Sequence, residues 1–237
     1  MALSLDDAQS WLASIARGGR GVFVRWPARV QPAEPLELYE FESCPFCRKV
    51  REVLSEMDLD YISRACPKGA VQNRGRATTE SGKALFPFLV DPNTGRALHE
   101  SEDIIDYLHR TYGEGRPTLS KVLAPATTVT SAVASLVRSR GGALDPRRRD
   151  RPQPPQLLEL WNFEGSPYCR KAREKLCALG LDYRVHNVAK GGSRRAELVA
   201  RGGRMMVPYL VDPNEDIAMY ESDDIVAWLD RTYGAAA

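Results

Sequence analysis

The chain has 237 residues, 43% hydrophobic and 27% charged, with 33 basic against 31 acidic residues for a formal charge of +2. That near-neutral balance gives no overall field to draw in nucleic acid or an anionic membrane, and no stretch approaches the ~18 apolar residues of a membrane span. Five cysteines are an odd number, and two of them form a Cys-x-x-Cys, which suits redox or metal chemistry in a reducing compartment better than a disulfide scaffold.

The first residues have neither a basic n-region nor a long apolar run, so no secretory signal is expected and the expected location is cytoplasmic. Residues 6–16 predict a short amphipathic helix, with acids in its first turn and Gly18-Gly19 as its stop. Residues 22–24 predict a strand or an extended arm, and Pro27, Pro32 and Pro35 lead into a strand at 36–41. A helix follows from Pro45, which suits a first helical position because its missing N–H has no partner there. Cys47, Val50, Leu54 and Met57 recur along it as one apolar stripe. A second strand is expected at 60–63, then a strand at 86–91 turning at Asp91-Pro92-Asn93-Thr94-Gly95 into another at 97–99. A last helix from Ser101 carries Ile104, Ile105 and Leu108 on one face and stops at Gly113.

Residues 114–156 begin and end with turn-formers, hold one helix within 129–140, and then present an arginine-rich run at 145–152 that reads as an exposed connector. After it the elements return. Residues 36–61 match the chain 122 positions later at 15 of 26 positions, and residues 86–113 match it 121 positions later at 16 of 28. A period this long marks duplication of a whole domain rather than a solenoid repeat. The organisation expected is a helix and arm over 1–34, a first domain over 35–114, a partly helical linker over 115–156 and a second domain over 157–237.

The copies differ where chemistry would occur: Cys44-Pro45-Phe46-Cys47 becomes Ser166-Pro167-Tyr168-Cys169. Cys44 stands where a strand gives way to a helix, so first-turn N–H groups and the helix dipole favour its thiolate, the nucleophilic form. Arg48, Lys49 and Arg51 add positive charge, and Cys47, one turn on, is close enough to attack a mixed disulfide on Cys44. The alternative reading is two small buried apolar residues. No metal site is expected, because His99, His109 and His186 give no second ligand pair. Ser166 cannot form a mixed disulfide, but its hydroxyl can donate a hydrogen bond to a bound thiolate. Cys66, just past the second strand, reads as an alternative resolving thiol or a structural cysteine, and Cys177 as packing. Glu100-Ser101 and Glu221-Ser222 open helices, where a serine caps and an anion binds.

A Cys-Pro-[Phe/Tyr]-Cys at a strand-to-helix turn, an X-Pro before a later strand, and Glu-Ser opening the last helix resemble the glutaredoxins. They resemble equally the N-terminal, glutathione-binding domain of glutathione transferases. The resemblance covers both copies and implies an α/β chain of two tandem thioredoxin-like domains, each a βαβαββα unit with a small mixed sheet. It implies glutathione as cofactor, with cis bonds at Phe86-Pro87 and Val207-Pro208 that let Phe86 and Val207 pair with its cysteinyl unit like an added strand. It assigns Glu100, Ser101, Glu221 and Ser222 to the γ-glutamyl end. Neither copy is followed by chain long enough for the all-helical domain that completes a transferase. The expected function is therefore glutathione-dependent thiol–disulfide exchange on disulfides or glutathionylated proteins. Cys44 is the nucleophile, Cys47 or a second glutathione resolves, and the second domain binds or supports. Conjugation through Cys44 or Ser166, and a non-catalytic glutathione or iron–sulfur binding protein, are the alternatives. The two copies are also compatible with pairing about a pseudo-twofold axis.

Overall fold

Alternating strand and crossover-helix patterns dictate a layered α/β arrangement, and a computed structural model, which describes residues 5–148 and 152–234, has it twice. The first copy runs β1 (Leu36–Glu40), α2 (Pro45–Glu56), β2 (Tyr61–Ala65), α3 (Val71–Ser81), β3 (Phe88–Asp91), β4 (Arg96–His99) and α4 (Ser101–Tyr112). The second runs β5 (Leu158–Asn162), α7 (Pro167–Ala178), β6 (Tyr183–Asn187), α8 (Arg195–Gly202), β7 (Tyr209–Asp212), β8 (Ile217–Met219) and α9 (Ser222–Leu229). In each, the first two strands pair in parallel and the hairpin adds antiparallel strands.

The two mixed sheets are joined into one. β2 pairs antiparallel with β6, matching Tyr61 with Val185, Ile62 with Arg184 and Ser63 with Tyr183, in the strand order β4-β3-β1-β2-β6-β5-β7-β8. Ile62 and Arg184 are themselves repeat equivalents, so the local twofold relation passes through that pair. Each copy's second strand would otherwise be an unpaired edge open to association. One apolar core, including Leu38, Leu54, Leu108, Leu160, Leu176 and Leu229, lies on the face covered by α2, α4, α7 and α9. Smaller clusters fill the other face: Tyr39, Cys66, Ala77 and Phe88 under α3, and Trp161, Val188, Leu198 and Tyr209 under α8.

The lead-in and the linker are also equivalents. Helix α1 (Leu5–Ile15) and helix α6 (Ala124–Val137) pack against each other, α1 on α7 and α6 on α2. Ser10, Ala13, Ser14 and Arg17 recur 121 positions on as Ser131, Ala134, Ser135 and Arg138. Each helix docks by the same two contacts. The Ser10 hydroxyl donates to the Pro167 carbonyl at 2.6 Å, and Ser131 to that of Pro45 at 2.7 Å. Arg17 then forks onto Glu52 at 2.6 and 2.7 Å, and Arg138 onto Glu174 at 2.5 and 2.6 Å. Each helix thus starts on one copy and ends on the other, bridging the seam.

Helix α6 begins five residues before the stretch read from sequence and ends at Val137, with a short helix α5 (Thr118–Val122) ahead of it. Its threonines are weak helix formers, but Thr127, Thr128 and Thr130 return their hydroxyls to carbonyls one turn back. The arginine run is only partly the exposed connector expected. Arg147 pairs with Asp145 and Asp230, while Arg148 is buried and donates to the Leu179 carbonyl at 2.9 Å. Residues 149–151 and the first four residues lie outside the described part.

Candidate functional site

Strand β1 delivers Cys44 to the N-terminus of α2, with Pro45 as the first helical residue. The chain there is extended (φ −70°, ψ 121°), so the cysteine occupies the capping position, and its Sγ accepts the Cys47 N–H at 3.3 Å. The Cys44 thiol lies 3.9 Å from the Phe86 carbonyl, in the loop whose Phe86–Pro87 bond is cis. A hydrogen bond from the Cys47 thiol pulls the Cys44 pKa below its ordinary value; burial opposes this, and the Cys47 and Phe46 N–H groups and Arg51 help. Cys47 moves the other way, well up, because burial and its bond to Cys44 both favour the thiol. One sulfur is held toward thiolate by a neighbour held as thiol.

The flanking charges expected to activate Cys44 are mostly committed elsewhere. Lys49 is ion-paired with Glu102 and bonded to Thr128 at 2.7 Å. Arg51 binds Glu40 and reaches across the seam to Glu164 at 2.9 Å. The reciprocal contact runs from Arg173 on α7 to Glu42 at 3.2 Å. Glu42 and Glu164 are the equivalent residues just ahead of Cys44 and Ser166, and all four side chains are buried. Burial alone would raise the Glu164 carboxyl, but Arg173 and Arg51 outweigh it and hold its pKa at about 2. Each site loop is therefore fastened to the other copy by a buried charge pair.

A steric exchange complements that fastening. The first copy has Ser43 against Gly142, where a Cβ would come within 2.6 Å of the serine hydroxyl. The second reverses it: Gly165 lies under Val22, and a Cβ there would meet Val22 Cγ2 at 2.3 Å and the Arg20 carbonyl at 2.9 Å.

At the second site the strand-to-helix turn is repeated without the sulfur. Ser166 caps α7, its hydroxyl accepting the Cys169 N–H at 3.2 Å, and the Val207–Pro208 bond is cis. Cys169 is fully buried, and burial raises its thiol pKa. Trp11 of α1 meets Tyr168 edge-on, centroids 6.2 Å apart, while the position equivalent to Trp11 on α6 is Ala132.

The Glu-Ser pairs behave alike in both copies and not as simple caps. Glu100 (φ 65°) and Glu221 (φ 66°) occupy the capping positions with positive φ, rare for residues other than glycine, and neither makes a side-chain capping bond. Ser101 and Ser222 are the first helical residues, buried, and their hydroxyls make no hydrogen bond among the described residues. The same backbone strain thus recurs at both helix starts.

Sequence reasoning missed Arg74 of α3. It hydrogen-bonds the Cys66 and Pro67 carbonyls at 3.1 and 3.0 Å and lays its guanidinium over the Phe86 ring, 4.9 Å from the centroid. Only its repetition as Arg195, whose Nη1 donates to the Val188 carbonyl at 3.0 Å, was visible beforehand. Cys66 is buried and its thiol pKa raised by burial, so it is packed rather than poised to react. Cys177 takes the Glu42 N–H at 3.4 Å and donates to the Gly141 carbonyl at 3.1 Å, fixing the first site's loop.

The family model described as "Glutathione S-transferase, N-terminal domain" matches residues 38–117 and again 160–237. A search of curated proteins gave no match. Among solved structures, one described as "Leishmania TDR1 - a unique trimeric glutathione transferase" aligns with TM-score 0.31 and 15% identity, over 86% of this chain and 68% of that one.

Proposed function

The chain belongs, twice over, to the glutathione S-transferase N-terminal domain family, and from that premise we propose that its first repeat is a glutathione-linked thiol–disulfide oxidoreductase with Cys44 as nucleophile. The observation that carries this reading is the divided cysteine pair, Cys44 pulled toward thiolate and Cys47 held as its donor. The Cys44 thiolate attacks the glutathione sulfur of a mixed disulfide; that S–S bond breaks, the partner's sulfur leaves as thiolate and takes a proton, and glutathione remains on Cys44. A second glutathione thiolate then attacks this disulfide, frees Cys44 and leaves as oxidised glutathione. Cys47 is fully buried and its thiolate disfavoured, so the second glutathione rather than Cys47 resolves the intermediate.

Glutathione lies along the Phe86–Pro87 segment, with its γ-glutamyl group at the α4 N-terminus, where Glu100, Ser101 and first-turn N–H groups meet it. The second repeat offers the same elements at Val207, Pro208, Glu221 and Ser222 around Ser166. Trp11 and Tyr168, both partly exposed beside Ser166, favour a second reading for that site alone: an apolar wall for an electrophile conjugated to glutathione, with Ser166 hydrogen-bonding the thiolate.

The test is turnover of a small glutathione mixed disulfide in a glutathione-coupled assay. Cys44→Ser is expected to abolish it, Cys47→Ser to retain most of it, and Ser166→Ala to leave it unchanged. Activity surviving Cys44→Ser sinks the reading. If Ser166→Ala instead lowers conjugation of an aryl halide, the second repeat is a transferase site.

A further inference from the structure

Helices α1 and α6 are amphipathic in the inverse sense. A surface helix ordinarily turns its apolar stripe to the core and its polar residues to water. Here Ser10 and Ala13 of α1, and Ser131 and Ala134 of α6, are the fully buried positions, on the side packed against α7 and α2. The large apolar side chains face outward: Leu5, Leu12 and Ile15 on α1, and Val129, Val133 and Leu136 on α6, are 46–86% exposed. Spacings of three, four and seven residues place each set on one side of its helix. Leu12 and Ile15 recur 121 positions on as Val133 and Leu136, so both copies keep the outward apolar character although not the identity.

The exposed fractions of these six residues leave on the order of 800 Å² of apolar surface in water, more than the ~300–600 Å² of the largest patch on an ordinary monomer. That is also about what each partner buries in a stable dimer. The two helices pack on each other across the seam, so the patch straddles the local twofold relation and presents the same chemistry at either end. A patch of this symmetry meets a second copy of itself face to face, as an isologous contact requires. No charged residue occurs from Leu123 to Val137, so this surface gives a charged partner little to pair with. A bilayer is the poorer match. Helices that lie on membranes carry Lys and Arg on their polar face, whereas the polar face here is Ser and Ala turned inward, and α1 opens with Asp6 and Asp7.

We propose that the outer faces of α1 and α6 form a docking surface for a second copy of this chain, joining two molecules through a layer of four helices, α1 and α6 from each. The contact uses no residue of either glutathione site, so the proposal stands or falls apart from the exchange reading.

Sedimentation velocity tests it. The expected species at micromolar concentration has twice the 26.4 kDa mass of one chain. It should persist in about 1 M salt, because apolar burial is not screened as ion pairs are. Leu12→Lys combined with Leu136→Lys buries unpaired charge in the contact and should weaken self-association by at least about a hundredfold. Val71→Glu, at a similarly exposed apolar position on α3 outside the patch, should leave it unchanged. Both leucines face water in the single chain, so the double variant should keep its urea midpoint. Should it instead fail to fold, Val129→Gln alone still decides the matter, with self-association expected to weaken about tenfold. A monomer at every concentration, a trimer, a dimer that dissociates in that salt, or one that survives the patch substitutions would each overturn the proposal. So would co-sedimentation of the wild-type monomer with phosphatidylcholine–phosphatidylglycerol vesicles, which would assign the patch to a membrane.

Discussion

In the proposed exchange two residues at one helix start carry the chemistry, and their division of labour is electrostatic. Cys44 gains from N–H groups that any residue at that turn would meet, and from a thiol donor that only Cys47 provides. Alkylation of Cys44 by iodoacetamide, followed against pH, is therefore expected to have its midpoint below the ordinary thiol value of 9.0. Cys47→Ala should raise that midpoint and Cys47→Ser raise it less, because the hydroxyl keeps a donor. Midpoints unchanged from wild type in both variants would assign the effect to the helix terminus alone.

Helices α1 and α6 hold the sites in place. Each spans the seam, and each ends in an arginine forked onto a buried glutamate. Removing one partner of a buried pair leaves a charge without compensation, at a cost of about 3–5 kcal/mol. Arg138→Met should lower stability by that amount, measured by urea unfolding, with Arg17→Met similar. A loss under about 1 kcal/mol, the worth of an exposed pair, would mean that α6 is not fixed by this contact. Gly165→Ala is expected to displace the arm at residues 20–22, since backbone as well as side chain blocks the added carbon. Its effect should appear as faster proteolysis after Arg20.

Across the whole molecule, the seam is asymmetric in pH response. On one side Arg64 bridges Glu37 at 2.6 Å and Asp182 at 3.0 Å. On the other, His186 bridges Asp60 at 3.2 Å and Glu159 at 3.4 Å, stacked on Trp161, with Arg194 and Arg201 on the same carboxylates. Burial opposes the imidazolium, but Asp60 and Glu159 outweigh it and raise the His186 pKa above 6.5. A raised folded-state pKa gives stability that is complete below the unfolded value and is lost as pH rises through the folded one. The melting temperature should thus fall as pH rises from about 6 to about 8, and His186→Arg, copying Arg64, should flatten that slope. An unchanged slope would place the response elsewhere.

The sequence determined a good deal alone. Local rules sufficed for the strand-to-helix turn at Cys44, the proline at each helix start, the apolar stripes and the hairpins, since each depends on residues a few positions apart. Duplication was legible as identity, and with it the Ser166 substitution and the two Glu-Ser pairs. Tertiary structure decided the rest, because it turns on partners far apart in the chain. Only the pairing of β2 with β6 makes one sheet of two. Glu42 and Glu164 look like ordinary loop acids until Arg173 and Arg51 reach them from the opposite copy. The kinship of α1 and α6 rests on four small or polar positions, too few to outweigh their divergent apolar residues until both helices lie across the same seam.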